Sequence, residues 1–522
     1  MIAAGYEQVT TDDDDSMKFI DSLLNMKLRE TALDQQTTDD LAERCLAKFD
    51  DLEAPLGCRA VSLYTVLAQI RAGNKSMLVH VPDICQRLKT HCLLTQPTVG
   101  AGAADFHCQF FDAISAILDL SPEKLVDESL GPIVQYLVRL VSCEHVEIAT
   151  RACKFWAEYA GMAANVTVRK HWMDLLIPEM STLVRALMDR MIYHPAHAEH
   201  LQQLCVNSAR ETSASSDVES FTNLRNLAVV AFEHVARAYP AELVCSTFRP
   251  LLEKRIQFDS WSEKEAVILA LAAYTQGAGI PDAMRDSYAL VVPRVLDCYF
   301  DPHPLLRSVA CLTMPKLVGR RLRGVKEPWS RVLICTAKAT RDSSAEVRRT
   351  AIRALSSLLA YGTPSGGDGK SSEVGGHTAR LVGALDRAAQ YEMDPETRCA
   401  YFDCVSHLVG RAGDALTADD MNCLMPRLID AWKSQPWNRT LDADNTDGSS
   451  LDPDLGIVPF SVSLGTIASY GKSRYAPFAE CIFEKACTDI GGFYALCILA
   501  CLTDRAIYIY YMISSTECKS LV

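Results

Sequence analysis

Two stretches decide the fold: DPHPLLRSVACLTMPKLVG, from Asp301 to Gly319, and DSSAEVRRTAIRALSSLLAYG, from Asp342 to Gly362. Each opens on an aspartate in a polar turn and places an arginine six residues on, Arg307 and Arg348. Each then runs an apolar stripe to a glycine. The two arginines stand 41 residues apart, and self-similarity at that period is the mark of a repeat array. In the second stretch Val347, Ala351, Ala354, Leu355, Leu358 and Leu359 fall at i, i+4, i+7, i+8, i+11 and i+12, one face of a 3.6-residue helix. Ala351 and Ala354 allow a second helix to approach closely, and the preceding PWSRVLICTAKATR supplies an antiparallel partner. Asp342 and the serines after it suit a helix start, where side-chain oxygens take up free backbone N–H groups.

Other segments fall into line. NLRNLAVVAFEHVARAYP carries Arg225, WSEKEAVILALAAYTQG carries Lys264, and DPETRCAYFDCVSHLVG carries Arg398. From Arg225 the basic residues follow at intervals of 39, 43, 41 and 50, the last stretched by the insertion TPSGGDGKSSEVGG. Two such helices cannot enclose a core alone, but stacked on similar neighbours they bury a continuous one. Asp301, Arg307, Asp342 and Arg348 form the expected structural ladder, the turn aspartate of one unit bonding the arginine of the next. The expected fold is all-α, a HEAT-repeat α-solenoid of antiparallel helix pairs, about ten to twelve hairpins at this period. Residues 1–40 read as a partly disordered segment or incomplete repeat, and 41–205 as repeats. A short loop at 206–222 leads to repeats over 223–490, with flexible insertions at 363–376 and 437–456, and an atypical tail follows at 491–522.

Composition narrows the function classes. Over 522 residues, 49% are hydrophobic and 22% charged, which supplies a core and argues against global disorder. A net charge of −13 argues against general nucleic-acid affinity and favours basic partners. The 20 cysteines include no CxxC pair; Cys153, Cys205, Cys311 and Cys404 sit singly among apolar residues, as buried thiols do in a reducing compartment. The N-terminus lacks the basic-then-apolar order of a secretory signal, and GGFYALCILACL is stopped by Asp504 and Arg505, so no membrane insertion is expected.

Chemistry-bearing motifs fail on inspection. In HPAHAEH, His194, His197 and His200 stand three apart but Pro195 interrupts them, which favours a solvated loop over a metal site. LDADNTDGSSLDPDLG puts Asp447 where a calcium loop needs glycine, and Pro453 where it needs the last acidic ligand. At Gly369 to Ser371 the order Gly-Lys-Ser occurs, yet Pro364 stands where a phosphate loop needs its first glycine. No catalytic residue, metal site or cofactor is expected. Binding is the default work of a repeat array.

Several segments in order resemble the transportin family of the importin-β (karyopherin-β) superfamily, nuclear import receptors. EHVEIATRACKFWAEYA, with Phe155 and Trp156, is similar to the family's EFW helix, and FDSWSEKEAVILALAAYTQG, with Trp261, Lys264 and Glu265, to its W-x-x-KE helix. LLRSVACLTMPKLV, AYFDCVSHLVGRAG and LMPRLIDAWKSQ, with Pro426 and Trp432, resemble later helices of the same family, and the matches run from about residue 40 to 490. The three tryptophans are read as packing residues. By the resemblance, 41–205 correspond to the middle of the family's N-terminal arch and 223–490 to the start of its cargo-binding arch. Roughly the first four repeats, a major site for Ran in its GTP form, are expected to be missing, as are the C-terminal repeats. The last thirty residues resemble nothing in the family and point to a truncated or altered gene.

The resemblance implies cargo proteins with basic, proline-tyrosine nuclear localisation signals on the concave face, and phenylalanine-glycine nucleoporins on the convex side. It implies shuttling between cytoplasm and nucleus. Of the family's signal-binding residues, one aspartate is kept as Asp403; the tryptophan is Leu312 and the arginine after it Lys316. Three further acids are replaced by Ala360, Gly410 and Val462, which weakens the usual basic-signal chemistry. The acidic loop that couples Ran binding to cargo release should lie at NSARETSASSDVESFTN, whose only acids are Glu211, Asp217 and Glu219, too few and too short for that mechanism. Two alternatives stay open: a HEAT-repeat scaffold of a multiprotein complex, and a non-functional fragment of a receptor.

Overall fold

An apolar stripe at helical spacing must be covered by something, and a computed structural model shows what covers each one. The structure describes residues 35–51, 56–71, 79–94, 103–120, 131–160, 174–194, 198, 216–278, 284–319, 329–361, 374–391, 393, 395–412 and 415–433. Every regular element among them is helical. The segment before residue 35, most of HPAHAEH, residues 206–215, the insertions at 363–373 and 437–456, Val462 and the 491–522 tail lie outside the described residues, as does the Trp432 side chain. The chain divides into two compact units, up to Met284 and from Arg285.

The first unit holds α1 (Gln35–Asp50), α2 (Leu56–Arg71), α3 (Val81–Leu94), α4 (Ala103–Leu120), α5 (Gly131–Val141), α6 (Val146–Tyr159), α7 (Met180–Met191), α8 (Ser216–Ala238), α9 (Ala241–Arg255) and α10 (Trp261–Ala278). Odd-numbered helices pack on odd and even on even, so the pairs make two layers, with the core between them. Residues 216–222, expected to be loop, instead open α8, and the Phe221 ring stacks on His194 with centroids 4.0 Å apart. Phe155 and Trp156 are both buried, as the packing reading of that helix requires. Trp261 lies against Tyr193, ring centroids 5.6 Å apart. At the α8–α10 crossing Gly277 admits no side chain: a Cβ there would overlap the Glu233 carbonyl oxygen and stand 3.0 Å from the Ala236 Cβ.

A polar group sits in the aromatic core between α1 and α5. The Arg59 side chain donates from Nε to the Phe49 carbonyl at 2.8 Å and from Nη2 to His91 Nδ1 at 3.0 Å. A guanidinium only donates, so Nδ1 carries a lone pair and the His91 ring is neutral. Phe106, Phe110 and Tyr136 surround that ring at centroid distances of 4.9, 6.0 and 5.9 Å. Burial, helped by the charges of Arg59 and His107, lowers the His91 pKa to about 3.

The second unit holds α11 (Arg285–Asp297), α12 (Pro304–Gly319), α13 (Trp329–Ala339), α14 (Ala345–Tyr361), α15 (Thr378–Ala388), α16 (Pro395–Ala412) and α17 (Ala418–Lys433). Here α12, α14 and α16 form one layer and α13, α15 and α17 the other, with α11 against α12. The predicted α14 stripe is the buried one: Val347, Ala351, Leu355, Leu358 and Leu359 are wholly enclosed.

The turns explain the Asp-to-Arg spacing. Asp301 and Asp342 each accept, on Oδ1, the amide two residues on, at 2.8 Å from His303 and 2.8 Å from Ser344. Arg307 folds back to donate from Nη1 to the Asp301 and Pro302 carbonyls at 2.8 and 2.9 Å. Arg348 does the same to Asp342 and Ser343, both at 2.8 Å, and Arg398 to Met393 at 2.8 Å. Between repeats, Arg307 Nε and Nη2 form a two-toothed bond to Asp342, each at 2.7 Å. The link therefore runs from the arginine of one repeat to the aspartate of the following one, the reverse of the expected sense. Arg348 instead lies over Tyr391, 4.1 Å from the ring centroid. In the first unit Arg225 donates to the Met191 carbonyl at 2.7 Å and pairs with buried Glu265.

Three outcomes follow from this packing. Gly277→Ala normally gains helix propensity, but here it should lower stability by about 1–3 kcal/mol through overlap with α8, read from a urea midpoint. At His91 the unfolded chain binds a proton near pH 6.5 and the folded one resists until about 3. That contribution is complete above pH 6.5 and is lost as pH falls toward 3, at up to about 1.4 kcal/mol per pH unit. His91→Asn, which keeps an acceptor for Arg59, should flatten the fall in unfolding midpoint between pH 7 and pH 5. Burial alone would raise the Asp342 carboxyl, but Arg307 and the Ser344 amide outweigh it and hold it below its ordinary value. Its stabilisation is therefore present above about pH 4 and lost below. Asp342→Ala should cost about 2 kcal/mol at pH 7, with the gap to the parent narrowing in acid below that point.

Candidate functional site

The layer formed by α12, α14 and α16 carries Leu312, Lys316 and Asp403, the positions that sequence resemblance singles out. Each helix turns one stripe away from its buried face. On α12 the stripe is Leu305, Leu312 and Lys316, with Ser308 buried beside it; Leu312 is 39% exposed while Val309, Cys311 and Met314 are buried. On α14 it is Glu346, Arg349, Arg353, Ser357 and Ala360, and on α16 it is Glu396, Cys399, Asp403, His407 and Arg411.

Polar bonds hold these stripes in register. Ser308 and Thr350 share a hydroxyl–hydroxyl bond at 2.9 Å between α12 and α14. Between α14 and α16, Arg353 Nη2 reaches Glu396 at 2.9 Å, and at the far end Arg411 donates to the Ala360 carbonyl at 2.6 Å. Leu312 and Lys316 are not brought to Asp403, because α14 packs between their helices. Asp403 is half-buried. Burial raises its pKa, opposed by His407 one turn on. Burial also lowers His407, against the pull of Asp403.

The replaced positions Ala360 and Gly410 lie on this face and bring no charge to it. Arg349, Arg353 and Arg411 were not foreseen as part of it. Their signal was available in the i, i+3, i+7 spacing, but only the stacking of α14 between α12 and α16 shows that they share the face. No acid there is paired with Asp403's role: Glu346 and Glu396 sit in first turns, where the helix dipole favours them, and each faces an arginine, Arg349 at 3.8 Å and Arg353 at 2.9 Å. The face thus offers one apolar spot, one half-buried carboxylate and a set of guanidiniums. Among the described residues no three metal-ligating side chains converge.

No family model matches the chain. Among curated proteins it is similar to Transportin-1 of Oryza sativa subsp. japonica, 21% identical over 364 residues that cover 65% of this chain and 38% of that one. It is also similar to Importin subunit beta-2 of Saccharomyces cerevisiae, 20% identical over 413 residues covering 72% and 41%. The chain thus spans about two fifths of these relatives' length. In fold it is similar to the karyopherin Kap121p bound to the SUMO protease Ulp1p, with a TM-score of 0.60 at 13% identity, covering 100% of this chain and 45% of that. A similar likeness holds to Kap95p in a structure with RanGDP, TM-score 0.57 at 12% identity, covering 99% and 62%. With HEAT-type helix pairs in each unit and transportins among its sequence relatives, the chain is similar in sequence and in fold to proteins of the importin-β superfamily.

Proposed function

We propose that the chain works as a nuclear import receptor, holding an extended signal of a cargo protein across the layer of α12, α14 and α16. The observation that carries this reading is the three-helix face itself: exposed Leu312, half-buried Asp403 and intervening polar stripes, in a chain whose relatives are transport receptors. Leu312 would hold an apolar side chain of the signal, and Asp403 a basic one, whose charge would offset the burial that now raises the carboxyl. This face would be the concave one. Phenylalanine-glycine nucleoporins would dock on the opposite layer, and the protein would move between cytoplasm and nucleus. A neighbour in fold was solved with RanGDP, which supports a Ran partner for the superfamily; release by Ran is the most distant part of the reading here.

A panel of basic proline-tyrosine peptides should be retained by the immobilised chain above scrambled controls. Asp403→Arg should weaken that retention about fivefold, the equivalent of about 1 kcal/mol, with the melting temperature unchanged. No retention above the controls would defeat the cargo reading. Failure to bind phenylalanine-glycine repeats alongside retained peptide binding would favour a HEAT-repeat scaffold with no transport role.

A further inference from the structure

The opposite layer of the second unit contains a cluster of cations without acids. Arg341 lies in the turn after α13, and its Nη2 stands 3.8 Å from where a Cβ on Gly383 would be, so its guanidinium lies over that glycine. On α15, Arg380 and Arg387 flank Gly383 at one turn before and one turn after, on the same side of the helix. Both are exposed. Among the described residues none of these three guanidiniums pairs with a carboxylate, and the buried Nε of Arg341 has no hydrogen-bond partner. The acids adjacent in sequence are both engaged elsewhere, Asp342 by Arg307 at 2.7 Å and Asp386 by Arg427 of α17 at 2.9 Å. Lys338, one turn before Arg341, is drawn over the Phe300 ring at 5.3 Å. The crowding is felt: burial, and after it the charge of Arg387, lowers the Arg341 pKa.

A guanidinium over a glycine, with two more unneutralised arginines one turn to either side on the same helix face, is an arrangement that helix packing does not need. An anion would relieve it. We propose that Arg341, Arg380 and Arg387 form an oxyanion site over Gly383, and that its ligand is a phosphorylated serine or threonine of a partner protein. A phosphoryl group carries close to two negative charges and three strong acceptor oxygens, which three guanidiniums can share in charge-assisted bonds. A lone carboxylate offers one charge and two oxygens, and would offset less of the cluster's charge than a phosphoryl group does. Gly383 adds no side chain of its own to compete for the Arg341 guanidinium. The site lies on α13 and α15, away from the α12–α14–α16 face, and does not depend on the cargo reading.

The test uses the full chain and three degenerate peptide pools with identical flanks, centred on phosphoserine, serine or glutamate. The phosphoserine pool should be retained about tenfold over serine and clearly above glutamate. Arg341→Gln and Arg387→Gln should each reduce that retention about tenfold while proline-tyrosine peptide retention stays unchanged. Gly383→Glu, which supplies the missing carboxylate, should abolish phosphoserine retention and raise the melting temperature. Equal retention of the phosphoserine and serine pools would overturn the site, as would retention that survives all three substitutions. Equal retention of glutamate would overturn the phosphoryl assignment. Thermal protection by inorganic phosphate without any phosphopeptide retained would mean an adventitious ion only, and would also overturn it.

Discussion

Everything in each unit depends on helix pairs burying their apolar faces against the neighbouring pairs. The even layer of the first unit is continuous from α2 to α10, and in the second unit α12 packs on α14, and α14 on α16, more extensively than α12 does on α11. Aromatic contacts show the same direction of support. Phe111 of α4 meets Phe155 of α6 at 5.7 Å, and Phe232 of α8 meets Phe248 of α9 at 5.3 Å, which in turn stacks on Tyr274 at 5.0 Å. A pair removed from its neighbours would expose these rings to water, and burying a side chain of that size is worth about 1.5–3 kcal/mol. Stability in such an array is a sum of weak repeats and strong interfaces.

The polar links are secondary in energy and primary in register. The Arg307 fork on Asp342, the Ser308–Thr350 bond and the buried Arg225–Glu265 pair all join successive repeats across the even-numbered layer or its turns. Each contributes on the order of 1 kcal/mol or a little more, less than one buried ring. Their directionality is what hydrophobic contact lacks. A slip of one helix turn along the layer would leave these groups buried and unpaired, which is costly in a way that a displaced leucine is not.

The fold was legible in the sequence because its determinant is periodic. An apolar stripe on α14 and an arginine six residues after the turn aspartates Asp301 and Asp342 can be counted without coordinates, and the backbone bonds of Arg307 and Arg348 show why that spacing recurs. What was misread depends on how neighbours approach. Counting basic residues marked Lys264 as a repeat position and left unread the next residue, Glu265, which helix geometry turns toward Arg225. The ladder was read in the wrong direction because spacing gives the two residue types but not which repeat's arginine reaches which repeat's aspartate; Asp342 accepts both its own turn amide and the preceding Arg307. On the candidate face, Leu312, Lys316 and Asp403 were located by resemblance, but the guanidiniums of α14 between them belong to no motif. They become part of the face only through the lateral order of three helices.

That lateral order limits what the face can hold. Leu312 and Asp403 stand on helices separated by α14, and packed helix axes lie about 8–10 Å apart, so the two positions are about 20 Å from one another. An extended chain advances about 3.3–3.6 Å per residue, so about six residues are needed to touch both. A small molecule or a single side chain cannot. The segment must also pass over Arg353, which is already tied to Glu396 at 2.9 Å and so presents a neutralised ridge in the middle of the path. A signal basic along its whole length would gain nothing there, whereas one with its charge at the Asp403 end and an apolar group at the Leu312 end would meet complementary chemistry at both. On the proposed reading the face would select by the spacing of two dissimilar groups along an extended chain, and only weakly by total charge.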